Sequence, residues 1–268
     1  MGSQPIEPRH DAQRRLACRL FRVNLVSDIH ERACDLGLSL PAGNGRKKRV
    51  ARIAQAGLVF IHVPKAAGMS ISEALYGVQV KHFSIRLGRR MEGGRLAGLP
   101  SFAVLREPFR RFLSAYHYGR AGGTENNEVA EPFRTAYQSF RSIDDALDHV
   151  EQAATPYAVD HIFRPQSWYV TDAWGRVAVD RLVALDDLAR LPLLVPGFPA
   201  RAIPRINKSD ATDTGLTPRQ RDRIRRLYAT DFALWEKVAS GLPVHDRAQT
   251  VANTNSNNLL PFPTPATI

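Results

Sequence analysis

In Leu58-Val-Phe-Ile-His-Val-Pro-Lys-Ala-Ala-Gly-Met-Ser-Ile71 a compact apolar run stops at Pro64 and gives way to a turn of small residues. The run 58–63 is rich in β-branched and aromatic residues and reads as a buried strand. Over 70–76 the pattern suits a helix. A strand feeding a helix through such a turn leaves the first amide N–H groups of the helix without intrahelical partners, aimed at the turn. Such a helix start attracts phosphate. Lys65 adds a full positive charge and Ser70 a hydroxyl donor, while Ala66, Ala67 and Gly68 let the backbone approach an anion closely. By itself the segment fits a plain strand-to-helix turn equally well.

Further along, Ser101-Phe-Ala-Val-Leu105 is a second short apolar run, and the following Glu107-Pro108 suits a first helical turn. Phe109, Phe112, Leu113 and Tyr116 then recur at helical spacing and make one apolar face. A third strand is expected over roughly 177–185, after a Trp-Gly turn. Thr217-Pro218 opens a long helix that carries Ile224, Leu227, Tyr228, Leu234, Trp235 and Val238 and closes at Gly241. Strands alternating with helices indicate an α/β fold with a largely parallel sheet.

A chain of 268 residues supports one substantial core, and 44% hydrophobic with 24% charged residues excludes wholesale disorder and fibrous architectures. Lysine plus arginine (37) exceeds aspartate plus glutamate (26), a surplus of +11 that favours a polyanionic partner without choosing among nucleotide, nucleic acid, acidic glycan and anionic lipid. Cys18 and Cys34 are two unclustered thiols, giving neither a disulfide framework nor zinc-site spacing, which suits a reducing compartment. The apolar stretch 16–29 is interrupted by Arg19, Arg22 and Asp28, so it reads as neither a signal-peptide core nor a membrane span. A cytoplasmic protein is expected. Residues 1–50 read as an N-terminal extension and linker, 51–245 as the domain, and 246–268 as a disordered tail with little to bury. The basic run Arg46, Lys47, Lys48 and Arg49 within the 40–50 linker reads as a solvated charge cluster with no site.

The loop differs from the common nucleotide pattern GxxxxGK[ST], because its lysine precedes the glycine. It resembles instead the 5′-phosphosulfate loop of the sulfotransferase superfamily, and within it the family 2 carbohydrate sulfotransferases, whose loop reads approximately Pro-Lys-Thr-Gly-Gly-Thr-Ser. Pro64, Lys65, Gly68 and Ser70 occupy the corresponding places. A second stretch, Phe102-Ala-Val-Leu-Arg-Glu-Pro-Phe-Arg-Arg-Phe-Leu-Ser-Ala-Tyr116, is similar to the family's second motif at Arg106, Pro108, Arg111, Ser114 and Tyr116. Phe163-Arg-Pro-Gln166, and Ile206-Asn-Lys-Ser209 with the helix containing Tyr228, Asp231 and Phe232, extend the likeness across 58–240.

The resemblance implies a P-loop-like three-layer fold with a mostly parallel central sheet. It implies 3′-phosphoadenosine-5′-phosphosulfate (PAPS) as co-substrate, no metal, and a hydroxyl-bearing acceptor that is a carbohydrate or glycolipid rather than a nucleic acid; no transmembrane segment is expected from the interrupted 16–29 stretch. Carried over residue by residue, Lys65, Ala66, Ala67, Gly68, Met69 and Ser70 surround the 5′-phosphosulfate. Arg106 and Ser114 hold the 3′-phosphate, and Lys208 joins the cofactor set. A guanidinium fork and a hydroxyl from the following helix suit phosphate oxygens. Two departures stand out, since relatives commonly carry threonine at the positions of Ala66 and Met69, and the second hydroxyl usually helps bind the 5′-phosphate. Eukaryotic members often begin with a membrane anchor, so a bacterial-type enzyme is the better match.

Sulfuryl transfer needs charge neutralisation at the leaving phosphate and a base near the acceptor hydroxyl. Lys65 suits the first role. For the base, Lys81-His82-Phe-Ser84 is similar to an element of bacterial relatives, and His82, with an unperturbed pKa of about 6.5, is the candidate. His62 reads as a core histidine, His117 and His161 as alternatives lining the acceptor cleft, and the role of Asp186 stays open. Two rival classes remain. A P-loop kinase or hydrolase needs a lysine at the end of the loop and a magnesium-binding carboxylate. A basic nucleic-acid or acidic-glycan binding protein explains the charge but none of the paired motifs.

Overall fold

The computed structural model describes residues 8–125, 127–200, 203 and 215–241. The chain forms strands β1 (Val59–Ile61) and β2 (Ser101–Leu105), a hairpin of β3 (Gly123–Thr124) and β4 (Asn127–Glu128), and strand β5 (Arg181–Ala184). Its helices are α1 (Pro8–Phe21), α2 (Ile29–Asp35), α3 (Asn44–Ala56), α4 (Gly68–Tyr76), α5 (Ile85–Arg90) and α6 (Pro108–Arg120). Then follow α7 (Phe133–Gln138), α8 (Ile143–Glu151), α9 (Gln166–Val170), α10 (Leu191–Leu194), α11 (Pro218–Leu227) and α12 (Ala229–Ala239).

β1, β2 and β5 form one parallel sheet with β2 in the middle, pairing Phe60 with Phe102 and Val104 with Val183. Every residue of β1 and β2 is buried, which is why both read as continuous apolar runs. The fold is therefore α/β with a parallel sheet. One hydrophobic core surrounds this sheet; a second joins α6, α7, α8 and α11 through Phe112, Tyr137, Leu147, Phe163 and Ile224. Because the strands are parallel, the segments leaving β1, β2 and β5 emerge at one edge, where open α/β sheets take their ligands.

Three sequence expectations change. The strand expected over 177–185 is ordered as β only at Arg181–Ala184. Stretch 40–50, read as a linker, contains the start of α3, whose Val50 and Ile53 are buried in the sheet core. The long C-terminal helix is two helices, because Tyr228 leaves helical geometry (φ −119°, ψ 31°) while its hydroxyl donates to Phe163 O at 2.7 Å. Asp231, just beyond the break, accepts from Gln166 N (2.7 Å) and Ser167 N (2.8 Å), capping α9.

The N-terminal helices are tied into the domain by buried charge. Arg164 Nη1 donates to Asp28 Oδ1 at 2.8 Å, with both side chains fully buried. Such a pair adds little net stability, yet removing one partner costs about 3–5 kcal/mol because the other charge is stranded. Its effect is to lock the Arg-Pro-Gln element against the N-terminal segment. Glu31 on α2, 2% exposed, accepts from both Ser84 N and Ser84 Oγ at 2.7 Å. No helix among the described residues is long and apolar enough to cross a membrane.

Candidate active site

A cleft of about 1090 Å³ opens at the carboxyl edge of the sheet. Of the expected site residues it brings together Lys65, Ala67, Gly68, Met69, Ser70, His82, Arg106 and Ser114. Ala66 instead points into the sheet core and is 1% exposed. Lys208, like the whole Ile206-Asn-Lys-Ser209 element and the 246–268 tail, lies outside the described residues.

The loop after β1 is built from alternating backbone hands. Lys65 (φ 67°) and Ala67 (φ 59°) are both left-handed without being glycine, and Ala67 is the N-cap of α4. Non-glycine residues held this way store strain, and they turn successive amides toward one concavity of the kind that binds anions. Arg111, 2% exposed, stiffens the loop from below, donating to Pro64 O (3.2 Å), Ile162 O (3.2 Å) and Arg164 O. A buried guanidinium spent on three carbonyls binds the loop after β1, α6 and the Arg-Pro-Gln element into one body. The second motif thus has a structural arm, Arg111, and a cleft-facing arm. Arg106 leaves the end of β2 and donates to Lys65 O at 3.3 Å. Gln166 holds its backbone on both sides, at 2.9 and 2.8 Å. Arg110 and Ser114, four residues apart on α6, both face the cleft.

Lys65 Nζ sits 3.8 Å from the ring centroid of Tyr118. Burial, followed by repulsion from Arg106 and Arg111, lowers its pKa to about 8. The amine is thus surrounded by cations, and an anion in the cleft relieves all of them at once.

The glycine of the loop is required for space. A Cβ on Gly68 would fall 1.7 Å from His62 Cδ2, against the 3.5–4.0 Å of a carbon contact. The His62 ring cannot easily retreat, since its Nδ1 is bound to Val80 O at 3.0 Å and the ring stacks on Phe60. We expect Gly68→Ala to cost roughly 1–3 kcal/mol through overpacking and to lower kcat, since His62 O also carries His82. A wild-type Tm and kcat in this variant would show that the ring swings aside.

Three histidines line the cleft side by side. The rings of His62 and His82 are 4.1 Å apart, and those of His82 and His161 are 5.4 Å apart. Burial lowers the pKa of His62 to about 4 and holds His82 and His161 well below the ordinary histidine value, with the neighbouring His62 adding to the shift at His82 and Arg164 at His161. Their hydrogen bonds separate their roles. A carbonyl only accepts, so His82 Nδ1 is the protonated nitrogen donating to His62 O at 2.9 Å, which leaves the Nε2 lone pair as the acceptor. At His161 the reverse holds. Arg164 Nη1 donates into Nδ1 at 3.2 Å, so the proton is on Nε2, which faces Ser27 Oγ at 3.2 Å. His161 is a held donor, whereas His82 and His62, each donating Nδ1–H to a carbonyl, keep a lone pair on Nε2, that of His62 packed against Gly68. His117 is exposed on α6 and does not line the cleft.

Several site features left no usable trace in the sequence. Glu31 positions the His82 element through Ser84, whose Oγ also caps α5. Arg49, read as part of a solvated run, reaches the cleft wall from α3. Asp186, whose role the sequence left open, lines the cleft after β5. Among the described residues no group of three or more His, Cys, Asp or Glu could hold a metal ion.

A parallel α/β sheet with a strained, amide-rich loop, a half-buried lysine and an arginine at the next strand end makes an arrangement suited to an anionic ligand at its strand ends. The sequence model of the sulfotransferase family matches residues 50–237, and the chain belongs to that family. That membership supports a transferase of sulfuryl groups. No curated protein and no solved structure matches the chain.

Proposed function

We propose that this sulfotransferase moves the sulfuryl group of PAPS to a hydroxyl of a carbohydrate or glycoconjugate, on the three-layer, P-loop-like fold of its family, with His82 as base. The observation that carries the reading is a single cleft in which the Lys65 loop, Arg106 with Ser114, and the free Nε2 of His82 all meet. The loop amides, Lys65 and Ser70 suit the 5′-phosphosulfate, and Arg106 with Ser114 suits the 3′-phosphate. The acceptor oxygen attacks sulfur, the bond from sulfur to the bridging phosphate oxygen breaks, and the hydroxyl proton passes to His82 Nε2. Negative charge left on the phosphate is met by Lys65, so the group acts most strongly as the bond breaks.

His82 is half-buried and neutral near pH 7, and the charge of the bound donor opposes its depressed basicity by Coulomb attraction. Ser27, Lys81, Asp160 and His161 add donors and acceptors to the cleft wall, which favours a polyhydroxylated acceptor over an apolar one. The free thiols Cys18 and Cys34 suit a reducing, cytoplasmic setting.

The reading is tested by thermal shift. 3′-Phosphoadenosine-5′-phosphate (PAP) is expected to raise the Tm more than ADP, because only PAP has the 3′-phosphate for Arg106 and Ser114, and ligand binding stabilises the native state by mass action. The preference should vanish in Arg106→Ala. Equal shifts for the two ligands in the wild type would remove the 3′-phosphate site, and a larger ADP shift would revive the kinase reading.

A further inference from the structure

The β3–β4 hairpin lies across the mouth of the phosphate loop. Asn127, on β4, lines the cleft and directs its Nδ2 at Met69 Sδ in the first turn of α4, at 3.3 Å. The Tyr118 hydroxyl donates to Asn127 O, and the same Tyr118 ring lies beneath Lys65 Nζ at 3.8 Å. Asn127 and Lys65 are thereby joined through one aromatic side chain, and both line the same cleft as Gly68 and Met69.

The contact with Met69 is a weak one. A thioether is a poor acceptor, and a carboxamide has two N–H donors, of which sulfur engages one. The opposite amide orientation would press Oδ1 against sulfur, lone pair against lone pair, so the donor end faces the loop. A donor held only by sulfur gains strongly when an anionic oxygen takes its place, because hydrogen bonds to charged acceptors are roughly twice as strong. The adjacent Glu128 carboxylate, whose charge would oppose an anion, is drawn to Arg134 Nη1 at 2.6 Å. From this we infer that Asn127 is a binding residue for the donor's 5′-phosphate, delivered from the hairpin to complete the cradle formed by the α4 amides and Lys65. The inference rests on the reading of the cleft as a PAPS site.

Isothermal titration of the full chain with PAP and with adenosine 3′-monophosphate, which lacks the 5′-phosphate, separates the two claims. In the wild type PAP binds more tightly than the 3′-monophosphate. Asn127→Ala should weaken PAP by about tenfold or more and leave the 3′-monophosphate within about twofold, as expected for one hydrogen bond to a charged group. Asn127→Asp should weaken PAP further, since it sets a carboxylate against phosphate, again sparing the 3′-monophosphate. Unchanged PAP affinity in Asn127→Ala overturns the inference, and so does an equal loss for both ligands in both variants, which marks Asn127 as a hairpin-forming residue. A wild-type protein indifferent to the 5′-phosphate sinks the cleft reading itself, and the inference with it.

Discussion

Replacing His82 by alanine is expected to lower kcat by roughly 10² to 10⁴-fold, the usual cost of losing a general base, while PAP affinity stays near wild type. The separation follows from position. His82 meets the cleft on the side of Lys81 and His161, and its neighbours His62 and Ser84 keep their own partners, Val80 and Glu31, when the imidazole is removed. The fold should survive, so Tm and circular dichroism serve as controls. The pH profile sharpens the assignment. His82 works unprotonated and its pKa is held well below the ordinary value by burial and by His62, so its contribution is present at neutral pH and is lost on the acid side. In kcat/KM, which reports the free enzyme, that acid limb should lie below the pKa of about 6.5 of an ordinary histidine and should be absent in the variant. Unchanged turnover in a folded His82→Ala protein, with chemistry rate-limiting, would transfer the role elsewhere. His62, whose Nε2 packs on Gly68, and Asp160 then become the groups to test.

Lys65→Ala should reduce kcat by about 10²-fold or more, since a preorganised charge acts chiefly on the transition state. Here a second readout is available without any acceptor. The lysine pKa of about 8 means that its charge is complete below that value and is lost as pH rises through it. A bound phosphate stabilises the ammonium and raises the pKa, so PAP affinity in the wild type should decline between about pH 8 and 10, and binding there should take up protons. The decline should disappear in Lys65→Ala. A variant that keeps both near-wild-type kcat and the alkaline fall in PAP affinity would remove Lys65 from the site. The alanine variant also frees the Tyr118 ring, so a Tyr118→Leu comparison shows how much of any effect comes from the ring contact alone.

The local devices were written in the sequence because they depend on neighbours within one turn or one strand. A β-branched run halted by Pro64 makes a strand and a small-residue turn before a helix, and Pro108 with Phe109, Phe112 and Tyr116 makes a helix with one buried face. The sequence by itself therefore determined the strand-to-helix loop, the α/β class and the likeness to sulfotransferases. It could not say that a helix starting at Asn44 would turn one residue of a basic run, Arg49, onto the cleft wall. The resemblance pointed to Arg106 for the cleft, but nothing in the sequence said that Arg111 would be the buried strut, because its partners Pro64 O and Ile162 O lie 47 and 51 residues away. Nor could it pair Asp28 with Arg164 or Glu31 with Ser84, which lie 136 and 53 residues apart. Only the tertiary structure decided which ring nitrogen of each cleft histidine holds the proton, for the physical reason that a tautomer is set by what the other ring nitrogen touches. Here that is His62 O for His82 and the Arg164 guanidinium for His161.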